Sequence, residues 1–144
     1  MLATFTANGV ATILGDDANF AGNGRWTFGW EDWSVTGSIQ KEPTAAALGG
    51  GALYKSVLYN VDRGVGFRIG RSLGTLAAIA AFLKSVDALV MSSGTLVLQP
   101  DASSPGTMTY ATAILASAKL LSSGDSSRGM FVTISYKFEC STVA

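Results

Sequence analysis

Residues 130–138, MFVTISYKF, alternate without a break. Val132, Ile134, Tyr136 and Phe138 fall on one side; Thr133, Ser135 and Lys137 fall on the other. Successive side chains of a strand point to opposite faces, so this run specifies a half-buried β-strand and offers a helix no apolar face. The same period recurs along most of the chain. Residues 25–39, RWTFGWEDWSVTGSI, put Trp26, Phe28 and Trp30 on one face and Trp33, Val35 and Ile39 on the other, with a bulge accommodated near Gly29 or Gly37. Residues 53–61 and 65–69 read as two strands around an Asp62-Arg63-Gly64 turn. Residues 94–99 form another. Residues 107–120 alternate Met108, Tyr110, Thr112 and Ile114 with small residues, although their alanines leave a helix open. A polar turn over 122–128 then leads into the final strand. Near the start, Asn8-Gly9 between β-formers marks a tight hairpin, because both central positions of a type I′ turn need positive φ.

One segment breaks the pattern. In 72–90, Leu76, Ile79, Ala80, Leu83 and Val86 or Asp87 recur at helical spacing, with Ser72 or Thr75 as the cap. Its opposite face is mostly Ala with Lys84 and Ser85, which suggests that this face also meets protein. Residues 40–52 hold Pro43 and Gly49-Gly50-Gly51 and read as a long flexible loop or the tip of an extended hairpin. The order is β-β-(loop)-β-β-α-β-β-β in one domain over 1–144, with no internal repeat.

Composition removes several function classes. There is no His among the 144 residues, so His-dependent triads, His general bases and mixed Cys/His zinc sites are excluded. Ten basic and ten acidic residues give zero net charge, a poor basis for non-specific nucleic-acid binding. Cys140 is the only cysteine, so no intrachain disulfide forms. The N-terminus carries no basic n-region or apolar h-region, and Leu73–Met91 is interrupted by Lys84 and Asp87, so neither a signal peptide nor a membrane span is expected. Only 14% of residues are charged, while Ala, Gly, Ser and Thr make up 66 of the 144. A monomer normally carries more charge to stay apart from its neighbours. This surface favours a subunit that buries much of itself in an assembly, made in a cytoplasm.

The motifs of chemistry are weak. Gly64-x-Gly66-x-x-x-Gly70 lies between strand and helix, but its spacing misses the dinucleotide fingerprint by one residue, and Val65, Phe67 and Ile69 alternate as a strand does. Ser38-x-x-Lys41 lacks the companion elements of acyl-transfer enzymes. Asp16-Asp17 reads as turn, and Glu31 and Asp32, as neighbours in a strand, point apart and do not share a proton. No enzyme activity, cofactor or metal is expected. Trp26, Phe28, Trp30 and Trp33 form the densest aromatic cluster; with Glu31 and Asp32 beside them they oppose a phosphate backbone, so an outward Trp30 or Trp33 marks a subunit interface. Arg63, Arg68 and Arg71 gather beside Asp62 at the helix entry, and zero net charge favours pairing with a neighbouring subunit over phosphate binding.

The segments RWTFGWEDWSVTGSI, AAALGGGALY, LGTLAAIAAFLKSV and TYATAILASAKLLSSGDSSRGMFVTISYKF, in that order, resemble the tail-tube proteins of long-tailed bacteriophages. Related tail-terminator, tail-tip and capsid-decoration subunits share much of the layout. The resemblance implies a mainly β fold, a sandwich or barrel of two packed sheets with one flanking α-helix. It implies hexameric rings stacked into a tube in the virion tail, other tail proteins as partners, and DNA passing through the lumen. The Pro43–Ala52 loop, with Leu48, Gly49, Gly50 and Gly51, would order on stacking. Channels that pass DNA are expected to be acidic inside, and this chain has no acidic excess. With Trp30, Trp33, Asp62, Arg63, Arg68 and Arg71, the loop makes up the candidate interface. A small β-barrel module binding an apolar or sugar ligand through the tryptophan cluster is the other reading.

Overall fold

The computed structural model describes residues 1–16, 28–43, 54–100, 106–126 and 129–141. Seven strands and one helix follow one another as β1 (Leu2–Ala7), β2 (Val10–Asp16), β3 (Gly29–Pro43), β4 (Tyr54–Leu73), α1 (Leu76–Leu89), β5 (Ser93–Gln99), β6 (Met108–Ser126) and β7 (Gly129–Cys140). All pair antiparallel in one sheet of order β2-β1-β5-β6-β7-β4-β3. The mainly β class with one helix is as expected. The two facing layers, however, are halves of one continuous curled sheet, not separate sheets, and the sheet does not close into a barrel.

The curl follows from β2. In a flat sheet it would lie about 24 Å from β4, five strand spacings away. Instead β2 seats on β4: a methyl built on Gly15 would lie 2.5 and 2.7 Å from Ile69 side-chain carbons and 2.9 Å from the Gly70 carbonyl oxygen. The register of β2 against β1 skips Leu14, which turns into the core. The Tyr136 hydroxyl donates to the Leu14 carbonyl at 3.0 Å, and Arg71 Nη1 donates to the Ile13 carbonyl at 2.9 Å. The Arg71 guanidinium also lies 4.6 Å over the Phe82 ring of α1. One side chain thus ties the edge strand, β4 and the helix together.

Inside the curl lie Phe5, Leu14, Phe67, Ile69, Leu96, Leu98, Leu115, Val132, Ile134, Tyr136 and Phe138, closed at one end by Ile79, Phe82 and Val86 of α1. The predicted alternation of β7 is complete: Val132, Ile134, Tyr136, Phe138 and Cys140 are all buried. Asn8 and Gly9 have φ of 52° and 76°, the positive pair that their hairpin requires. Thr75, not Ser72, caps α1, accepting the Ala78 amide at 3.1 Å.

Four expectations are corrected. Residues 54–73 are not two strands around a turn but the single strand β4, because Asp62, Arg63 and Gly64 are paired with Thr36, Val35 and Ser34 of β3. Gly64 earns its place here: a methyl on it would lie 2.6 Å from the Ser34 hydroxyl. Residues 40–43 belong to β3 instead of a loop, and Pro43 sits at a register break, where a missing amide is tolerated. Residues 122–126 continue β6, paired through to Gly129, so the polar turn is shorter than its composition suggests. Finally, the bulge of β3 falls at Glu31.

Candidate assembly face

The bulge at Glu31 decides what β3 presents. Its register jumps from Trp30↔Phe67 to Asp32↔Gly66, leaving Glu31 unmatched. Without it, Trp30 and Trp33 would stand on opposite faces. With it, Trp30 lies beside Phe67, Trp33 beside Val65 and Val35 beside Arg63, all on the face that carries the core. Phe28 joins them, its ring 5.3 Å from Trp30 and 6.0 Å from Phe67. The same shift moves the acids. Glu31 accepts from Ser135 and Asp32 lies against Gly66, so both carboxylates reach the outer, polar face. The expectation that they point apart therefore fails; it assumed an unbroken strand.

Because β2 seats on β4 and β7, the strand beyond them, β3, overhangs the closed core. Its inward face stays wet. Trp30 is 47% exposed, Trp33 60%, Val35 48%, and Val61 on the adjoining stretch of β4 39%. These four form one stripe along two paired strands, and β3 carries it to the margin of the sheet. The two margins differ. That of β2 is seated on β4 and its Ile13 and Leu14 carbonyls are bound by Arg71 and Tyr136. That of β3 has no neighbouring strand among the described residues.

The three arginines do not make one patch. Arg63 and Arg71 share the inner face but lie eight residues apart, about 26 Å along the strand. Arg68 points to the other face, its guanidinium 3.0 Å from where a methyl on Gly29 would be. Arg63 donates to the Ser141 carbonyl. Arg71 is engaged within the chain as described, and its burial lowers its pKa from the usual arginine value. Asp62 lies opposite Thr36 on the outer face. Pro43 ends β3, while Leu48, Gly49, Gly50 and Gly51, like Trp26, lie outside the described residues.

Sequence reasoning missed a second feature. β7 stops at Cys140, but Ser141 still bonds β6, its amide donating to the Thr112 carbonyl at 2.9 Å. Beside that end lies an open groove of about 570 Å³, lined by polar and charged residues that include Asp32, Asp62, Arg63, Lys137 and Glu139, together with Val61, Ile114 and Cys140. The burial of Cys140 pushes its thiol up to about 11. Tyr110 faces inward beneath the groove and is 1% exposed, and burial raises its pKa as well. No signal in the sequence marks the end of β7, since the alternation stops only at Cys140 and no Gly or Pro follows.

Among the described residues no group of three or more Cys, Asp or Glu side chains is placed to hold a metal, and no helix is long and apolar enough to cross a membrane.

No protein-family model matches the chain, and no curated protein matches it. Among solved structures it is similar to a chain in the cryo-electron microscopy structure of the anti-feeding prophage baseplate, six-fold symmetrised, with a TM-score of 0.39 and 9% identity over 99% of this chain and 89% of that one. A likeness at that level carries no argument about function, which has to come from the margins of the sheet.

Proposed function

We propose that this chain is a structural virion subunit that assembles with copies of itself, as rings stacked into a tail tube, and performs no chemistry. The observation that supports this reading is the overhanging β3: fifteen residues of strand margin without a neighbouring strand among the described residues, carrying Trp30, Trp33 and Val35 exposed on one face. Soluble proteins blunt such margins with charge, proline, bulges or covering elements; β2 is seated on β4, whereas β3 carries the Glu31 bulge, Lys41 and Pro43 but no covering strand among the described residues. Two unlike margins suit head-to-tail contacts, which close into rings.

Magnitudes show how the contact would hold. Fully burying a large apolar side chain contributes roughly 1.5–3 kcal/mol, so four half-exposed ones contribute about 3–6 kcal/mol. Association costs about 4–15 kcal/mol in lost freedom. The stripe alone therefore does not hold a pair, and backbone pairing along β3, or closure of a ring, has to supply the rest. Weak single contacts and strong closed ones are what a subunit needs to stay dispersed until assembly begins. Stacking, hexameric order and DNA transit follow from the tail-tube resemblance; the outer face carries Arg68, Lys119 and Lys137 beside Glu31, Asp32, Asp62 and Glu139, so it is mixed in charge.

Negative-stain microscopy of the purified chain tests this reading, with rings or tubes expected and lost in Trp33→Lys. Monodisperse single subunits at high concentration would contradict it. The small-ligand alternative needs a concave apolar site. Trp30 and Trp33 stand instead on an overhanging margin, and an unresponsive tryptophan fluorescence titration with sugars and apolar ligands is expected.

A further inference from the structure

A head-to-tail contact needs a margin that receives β3, and β2 does not offer one, since it is seated on β4 with two of its carbonyls taken. β6 offers another. β5 pairs with β6 no further than Ile114, because the chain enters β5 from α1 through Met91, held at a φ of 66°. The last backbone contacts there are donated by the Met91 amide to the Leu115 carbonyl at 2.8 Å and by the Leu115 amide to the Ser92 carbonyl at 3.4 Å. From Ala116 to Ser126, β6 has β7 as its one strand neighbour among the described residues. The elements that border this stretch, α1 ahead of β5 and β7 across the hairpin, are both described. α1 packs on the inner face through Ile79, Phe82 and Val86 and adds no strand. The stretch is therefore a strand edge, whose backbone donors and acceptors another extended strand can match.

The faces of this edge match those of β3. Leu120 lies opposite Ile134 on the inner face yet is 46% exposed, and Leu121, unmatched in the register, is 44% exposed. Ser117 and Lys119 lie opposite Lys137 and Ser135 on the outer face. β3 has Trp33 and Val35 on its inner face and Asp32 and Ser34 on its outer face. With inner faces on the same side, apolar residues meet and Lys119 meets the acidic side of β3. Turned over, Lys119 would meet the tryptophans. Direction follows too. β6, β7, β4 and β3 alternate in direction, so the open edges of β3 and β6, joined with like faces together, run antiparallel. The unmatched Ala116 and Leu121 bound Ser117–Leu120 as the regular stretch, so the ladder is short. Leu120 opposite Trp33 then sets Ala118 opposite Val35 and Lys119 diagonal to Asp32, a span that a long side chain crosses.

We infer that the Ser117–Leu120 edge of β6 receives β3 of a second copy of this chain, antiparallel, with Trp33 against Leu120 and Asp32 paired to Lys119. This rests on the self-assembly proposed above and names the surface on which β3 lands. A second copy is the occupant because this chain carries the complement: an open strand edge, exposed apolar side chains on the matching face, and an acid where β6 has its lysine. The two edges are different strands, so the contact is heterologous and repeats from copy to copy until a ring closes. The short ladder keeps each single contact weak.

Charge reversal, read by sedimentation velocity over a concentration series, tests this. Asp32 and Lys119 are both exposed, so the dispersed variants should melt with wild type. Asp32→Lys alone and Lys119→Glu alone each bring like charges together at the joint, and each should raise the concentration needed for assembly several-fold. The double variant should recover most of that loss. An equimolar mixture of the two single variants should recover it as well, because every joint between unlike copies again pairs opposite charges. Hydrogen exchange on the wild-type chain gives a second readout: on assembly, the amides of Ser117–Leu120 that do not face β7 should slow at least tenfold. Lys119→Glu that assembles as readily as wild type, or a double variant and a mixture no better than the single variants, overturns the joint at β6 and leaves β3 to land elsewhere. A wild-type chain that never assembles overturns both readings.

Discussion

Gly15→Ala isolates the contact that curls the sheet. The added methyl would meet Ile69 side-chain carbons at 2.5 and 2.7 Å and the Gly70 carbonyl oxygen at 2.9 Å. Carbon atoms in contact normally stand about 3.5–4.0 Å apart. Ile69 is buried, and Gly70 is held opposite Thr133 of β7, so neither neighbour withdraws easily. Overpacking of this kind costs roughly 1–3 kcal/mol. For a chain of this size that is a fall in melting temperature of about 2–12 °C, at roughly 2–4 °C per kcal/mol. Gly37→Ala is the matched control. Nothing lies within 4 Å of its added methyl and its φ is not positive, so the same chemical change should be neutral or stabilise by about 0.4–1 kcal/mol through the unfolded chain. Thermal unfolding of the dispersed proteins, followed by circular dichroism, reads both. If Gly15→Ala melts with wild type, β2 does not seat on β4 and the overhang of β3 loses its cause.

Three further outcomes follow from named contacts. Arg71→Met should lower stability by about 1–2 kcal/mol, since it removes both the charged hydrogen bond to the Ile13 carbonyl and the contact with Phe82, and denaturant melts would show it. Thr75→Ala should cost about 1 kcal/mol by leaving the Ala78 amide uncapped, with helical signal lost first. Cys140 should resist thiol reagents at pH 8 in the folded chain and react at once in denaturant. Its folded pKa of about 11 lies above the unfolded value near 8.5, so the unfolded chain releases its proton first. Stability should therefore be insensitive to this group below about pH 8 and decline as pH rises from there toward 11; a flat stability profile across that range would refute its burial.

What the sequence revealed and what it hid divide along a physical line. The alternation of 130–138, the Asn8-Gly9 turn and the period of α1 were legible because each is a local property of consecutive residues. The bulge at Glu31 was not. It depends on Gly66, across the strand, admitting the Asp32 Cβ at the 3.0 Å where its own would stand. A single unmatched residue then exchanged the faces of Trp33, Val35 and Asp32. The composition of Asp62-Arg63-Gly64 and of 122–126 points to turns, yet each is held extended by a partner strand. The interface candidates were half legible: an outward Trp30 or Trp33 was expected from their pattern, but exposure of both on one face was not. The groove at Cys140 left no trace, because the position at which one strand outlasts another belongs to the sheet.

Sedimentation velocity over a concentration series, on wild type and on Val35→Lys, is the most direct test that this chain is completed by copies of itself along β3. Wild type should shift from single subunits to closed, larger species as concentration rises, and Val35→Lys, with its charge at the centre of the exposed stripe, should remain single while melting normally. A wild-type boundary that stays at one subunit throughout, or a variant that assembles as readily as wild type, would contradict the account.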